Sequence, residues 1–147
     1  MERREFISAV GAAAVAMSAT QALANEHEHH ASGEHHHPTK FPALAKAANK
    51  CVLDGENNLR HCFGMVAMGD TTMAECIKLT YDVISACRSL AALAATDSRF
   101  TKSMAVVVET ICAECKKECD KFLQYTECKE MAESCAACAD ECKKLKA

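Results

Sequence analysis

Eleven cysteines fall along the chain at Cys51, Cys62, Cys76, Cys87, Cys112, Cys115, Cys119, Cys128, Cys135, Cys138 and Cys142. Inside each uninterrupted stretch of sequence they are separated by three, four, seven or eleven residues. Those intervals return to one face of a helix with 3.6 residues per turn. Few residues interrupt the pattern: the last proline is Pro42, and from Asp70 to Ala147 there is neither proline nor glycine. Such a chain folds as helices, each carrying one stripe of sulfur.

Break signals divide the helical stretch. Thr72 with Glu75 predicts a capping box after the Gly69-Asp70 turn, Thr96-Asp97-Ser98 marks a second break, and Thr126 can cap the segment carrying Cys128. The expected helices run over roughly 42–68, 73–95, 98–124 and 127–146. Their short connections make consecutive helices antiparallel neighbours. The expected fold class is therefore all-α, an antiparallel up-down four-helix bundle with a cysteine-lined core. The stripes coincide with the apolar faces: Met104, Val108 and Ile111 lead into Cys112, and Thr80 and Val83 lie between Cys76 and Cys87. In this arrangement Cys62, Cys76, Cys119 and Cys128 lie toward one end. Cys51 and Cys87 lie about 16 Å deeper, level with Cys112 and with Cys138 or Cys142. The sulfurs line a tube, not a point.

Ahead of the bundle the chain has a different character. Arg3 and Arg4, then Phe6, precede an uncharged run from Ile7 to Ala19, and Ala22-Leu23-Ala24 offers small residues for cleavage. The paired arginines indicate a twin-arginine signal over 1–24 and an exported mature chain from Asn25. Six of the seven histidines then fall between Asn25 and Pro38, in a polar segment with too little apolar content to order itself. Residues 25–41 read as a disordered His-rich tail, either a solvated spacer or a weak collector of soft and borderline metals. Residues 42–147 form the bundle and metal-binding domain. The net charge of −3 is spread along the chain without a basic block, which argues against a nucleic-acid or anionic-membrane partner. The signal's apolar run is too short for a membrane anchor.

Several chemistries use thiols. Neighbours three or four apart on a helix have Cβ atoms about 5–6 Å apart, beyond the roughly 3.5–4.5 Å of a disulfide. Disulfides between helices remain open in an exported chain. One zinc or iron–sulfur site needs about four ligands, usually on loops or knuckles, and a thioredoxin-like use of Cys112 and Cys115 calls for a βαβ context. One or two of the thiols could simply be inert small hydrophobes. Cu(I) fits the full set best, because thiolates select it and its low coordination number suits bridging sulfurs. Many ions per chain would then be held, each neutralising about one thiolate. No Ser-His-Asp set, paired carboxylates with a base or phosphate loop points to an enzyme.

KCVLDGENNLRHC (50–62), MVAMGDTTMAEC (65–76), CAECKKECDKF (112–122) and CAACADECKK (135–144) together resemble the bacterial copper storage proteins, in their exported, cysteine-rich four-helix-bundle branch. The resemblance implies Cu(I) bound by the core thiolates, a homotetramer, and copper held for a client enzyme such as methane monooxygenase. It also implies a metal entrance at His61, Met65, Met68 and Met73. The alternatives there are methionines that plug an irregular bundle end and a histidine in a surface or cap role. Asn58 departs from the family pattern, standing on the inner stripe where another cysteine is expected. Gly55, on the same stripe, either admits a close neighbour or weakens its helix.

Overall fold

The structure is a computed structural model that describes residues 37–146. The expected signal peptide and the tail up to residue 36 lie outside the described residues. The described chain forms four helices, α1 (Pro42–Ala67), α2 (Ala74–Ala95), α3 (Thr101–Cys119) and α4 (Thr126–Lys144), with a 3-10 turn at Asp120–Phe122. Each helix packs against two others, α1 on α2 and α4, and α3 on α2 and α4. That connectivity is the expected up-down bundle.

Local chemistry sets the ends. Pro42 opens α1, where its missing N–H is no loss. Past Ala67, the Met68 N–H reaches the Gly64 and Met65 carbonyls, and Gly69 takes a left-handed φ of 87° that a side chain resists. The predicted capping box does not form. Asp70 Oδ1 instead accepts both the Thr72 N–H, at 2.9 Å, and the Thr72 hydroxyl, at 2.7 Å. With that hydroxyl engaged, α2 starts at Ala74 without a side-chain cap. Thr126 is likewise not a cap: the extended Tyr125 takes the cap position and Thr126 is the first helical residue.

The second break turns on Asp97, whose φ of 51° is left-handed, a conformation aspartate tolerates better than most side chains. Its carboxylate accepts the Lys40 N–H at 2.7 Å. Thr101 is buried and donates its hydroxyl to the carbonyls of Leu93 and Ser98 at 3.0 and 2.8 Å. α3 therefore begins three residues later than expected, and its α-helical geometry ends at Cys119, tightening into the 3-10 turn.

The core combines two materials. At one end Leu44, Ala48, Leu90, Ala94, Ala105 and Val108 pack as an apolar plug. Cysteine sulfurs line most of the rest, with Asn58 and Thr80 buried among them. Gly55 lets α1 and α2 pack tightly, since a Cβ there would stand 2.7 Å from Ile84 Cγ1. Between α1 and α4, buried Asp54 accepts hydrogen bonds from the Ser134 hydroxyl and from Lys50 Nζ, the latter at 2.7 Å. Burying a carboxylate is tolerable because both partners are present.

Candidate metal centre

Helical phase carries every cysteine inward. All eleven are fully buried, and no disulfide joins them. Toward the end formed by the α1–α2 turn, Cys62, Cys76 and Cys128 bring their sulfurs within 4.8 Å of one another. Cys119 joins this group through a 3.7 Å contact with Cys76. Deeper in the bundle Cys51, Cys87, Cys112 and Cys138 form a second group of the same compactness. There Cys87 stands 4.0 Å from Cys112 and 3.9 Å from Cys138. The depths agree with those expected from the spacing. Cys115 lies 3.9 Å from Cys119, Cys135 interacts with Cys112, Cys115 and Cys51, and Cys142 adjoins Cys138.

Asn58 occupies the column as well and is fully buried. Its amide nitrogen donates to Thr80 Oγ1 at 2.9 Å and to Cys76 at 3.4 Å, while its oxygen accepts from Cys128 at 3.2 Å and Cys62 at 3.7 Å. Both donors and both lone pairs are used. The amide thus joins three thiols without replacing the missing one. Met131 was not singled out from the sequence. It is fully buried, three residues after Cys128 and four before Cys135, so its thioether shares the α4 stripe. The same spacing arithmetic that found the cysteines could have found it.

The sulfur column holds charge unevenly. Contact with Cys119, then with Cys128 and Cys62, draws Cys76 well below the ordinary thiol range. Cys112 and then Cys142 do the same for Cys138. Cys112 and Cys115 are also lowered, to about 6 and about 5, chiefly by Cys135 and by Cys119 respectively. The neighbours that donate to these sulfurs move upward, as do Cys87 beside Cys112 and Cys128 beside Cys62, with burial adding to the rise. The outer group therefore contains one sulfur that favours the thiolate, Cys76, and the inner group two, Cys112 and Cys138, beside partners that keep their protons.

The proposed entrance residues meet different fates. Met73 is fully buried, Met65 is partly buried against the core, and Met68 is 75% exposed. His61 packs against Tyr125 with ring centroids 4.7 Å apart and planes tilted by 46°, and its Nδ1 lies 3.7 Å from Glu127. Its Nε2 is buried with no hydrogen-bond partner among the described residues. Tyr125 and Glu127 could not be assigned to His61 from sequence, because they approach from another part of the chain.

Chemically, buried thiols in van der Waals contact suit a soft ion of low coordination number with bridging thiolates. A single tetrahedral zinc would engage four sulfurs and leave the others idle. The comparisons with known proteins agree. Two solved structures share the fold: apo copper storage protein 3 of Bacillus subtilis, with TM-score 0.63, 25% identity and coverage of 71% of this chain and 97% of that one, and a Cu(I)-bound BsCsp3, with TM-score 0.63, 24% identity and coverage of 71% and 96%. No curated protein sequence matches. The copper storage protein family matches residues 36–147. The chain belongs to the copper storage protein family, whose task is storage and not catalysis.

Proposed function

We propose that this chain is an exported Cu(I) store that holds many ions at once on its core thiolates and can supply a copper enzyme such as methane monooxygenase. The observation that carries the capacity is the burial of all eleven thiols in two compact groups joined by further sulfurs. Export rests on the twin-arginine segment at Arg3-Arg4 and the small residues at Ala22 to Ala24. A homotetramer follows the family resemblance, and exposed Leu53, Phe63, Tyr81, Phe100, Val106 and Val107 offer apolar surface for such an assembly. His61, Met65, Met68 and Met73 serve as the entrance, where thioethers pass Cu(I) inward without the charge to hold it. Met68 meets the ion at the surface, and Met65 and Met73 lead toward Cys62 and Cys76.

Titrating the reduced, copper-free protein with Cu(I) against a coloured competing chelator tests the store directly. The expected end point is about one copper per thiol, since each ion is neutralised by one thiolate. An end point of one or two ions per chain overturns storage. In the same assay, changing Met65 and Met68 to leucine slows loading and leaves the end point in place. Unchanged rates would return both residues to simple packing.

A further inference from the structure

We infer that the sulfur column is two chambers joined by one ladder, and that Cys115 is the rung through which Cu(I) passes from the outer chamber to the inner one. This inference rests on the storage reading and adds a direction of movement inside the store. The outer chamber is Cys62, Cys76, Cys119 and Cys128, beside the entrance; the inner one is built around Cys51, Cys87, Cys112 and Cys138. Between them the four helices contribute unlike atoms. On α1 and α2 that level is occupied by Asn58 and Thr80, hydrogen-bonded to each other at 2.9 Å. An amide and a hydroxyl are poor ligands for a soft cation and carry no charge to neutralise it. On α3 and α4 the sulfurs continue. Cys76 meets Cys119 at 3.7 Å, Cys119 meets Cys115 at 3.9 Å, and Cys115 interacts with Cys135, which in turn interacts with Cys112 and Cys51.

Thr80 also stands 3.9 Å from Cys115, so the polar pair borders the ladder and confines it to one side of the bundle. Toward the far end the buried residues are apolar, Leu44, Leu90, Ala94 and Ala105, and offer a soft cation no ligand. Each transfer along the ladder is a ligand exchange: the ion gains a bond to the next sulfur and loses one to the previous sulfur. As that sulfur is left it takes back a proton, and the next one gives a proton up. Met131 offers the competing path, since it follows Cys128 and precedes Cys135 on α4. A neutral thioether provides no charge for the proton exchange, which favours Cys115 as the route.

Stopped-flow loading of the reduced full chain, with Cu(I) delivered from its complex with a coloured chelator, separates these routes. The wild type should load in two phases, outer chamber first. Cys115→Ala should slow the second phase by about tenfold or more, a large change in a single barrier. Cys142→Ala removes a thiol from the far end and should lower the end point without slowing that phase. Adding Asn58→Cys to Cys115→Ala places sulfur on the α1 side of the same level and should restore the rate. Cys115→Ser repeats the first arm with a side chain of similar size if the alanine variant loses helicity. The ladder is overturned by single-phase loading, by equal rates in the Cys115 and Cys142 variants, or by slowing that follows Met131→Leu instead. An end point of one or two coppers in the wild type defeats storage itself, and it is read from amplitude, not from rate.

Discussion

Asn58 shows how one residue can be misplaced for ligation and well placed for folding. Its amide binds Thr80, Cys76, Cys62 and Cys128 together. Asn58→Leu keeps the approximate size and removes all four bonds, leaving buried polar groups unpaired. The copper-free protein should lose about 1–3 kcal/mol of stability, measured by urea unfolding under reducing conditions, and an unchanged midpoint would contradict the role. The position was legible because Asn58 lies seven residues after Cys51 and four before Cys62, on the same stripe. Its hydrogen-bond partners were not, since Thr80 and Cys128 come from other helices. Asp54 was hidden for the same reason. An acid three residues after Cys51 is expected at the surface, and only Ser134 on α4, together with Lys50, explains its burial.

Among the helices, α1 and α2 pack tightly at Gly55. Alanine there would gain about 1 kcal/mol of intrinsic helix preference. Its Cβ would meet Ile84 Cγ1 at 2.7 Å, near the base of a buried side chain that cannot swing away. Overpacking of this kind costs about 1–3 kcal/mol, so Gly55→Ala should be neutral to destabilising instead of stabilising. Thermal unfolding of the single variants and of Gly55→Ala with Ile84→Ala tests this. The double variant should be more stable than the sum of the singles predicts, because the second change removes the clash. The helices and their order could be anticipated from apolar periodicity and from breaks near 69, 97 and 125. The caps could not, because Thr72 has a nearer partner in Asp70 and Tyr125 adopts an extended backbone that residue type alone does not specify.

At the scale of the whole molecule, the proposed store would have protons and copper compete for the same atoms. Cys51, Cys87, Cys119, Cys128, Cys135 and Cys142 are pushed upward by neighbouring thiols and burial. They therefore keep their protons near neutral pH. Loading in weakly buffered solution should acidify it, and apparent affinity should fall as pH falls, because each ion must displace a proton. For folding the sign is opposite. A thiol raised above its unfolded value, about 8.5, stabilises the empty bundle below that pH and withdraws the contribution as pH rises beyond it. Cys76, Cys112, Cys115 and Cys138 act the other way, being lowered, and lose their contribution as pH falls. With the raised thiols in the majority, melting temperature of the empty form should decline above about pH 8.5. The copper-filled form, its thiolates already neutralised, should hold steady over the same range. A core of thiols where most bundles place leucine also makes cargo part of the folding energy, since a ligand bound only by the folded state stabilises it. Fill level is thereby written into survival. Empty molecules open most often and reach proteases first, so turnover would cull the vacant vessels and spare the stocked ones.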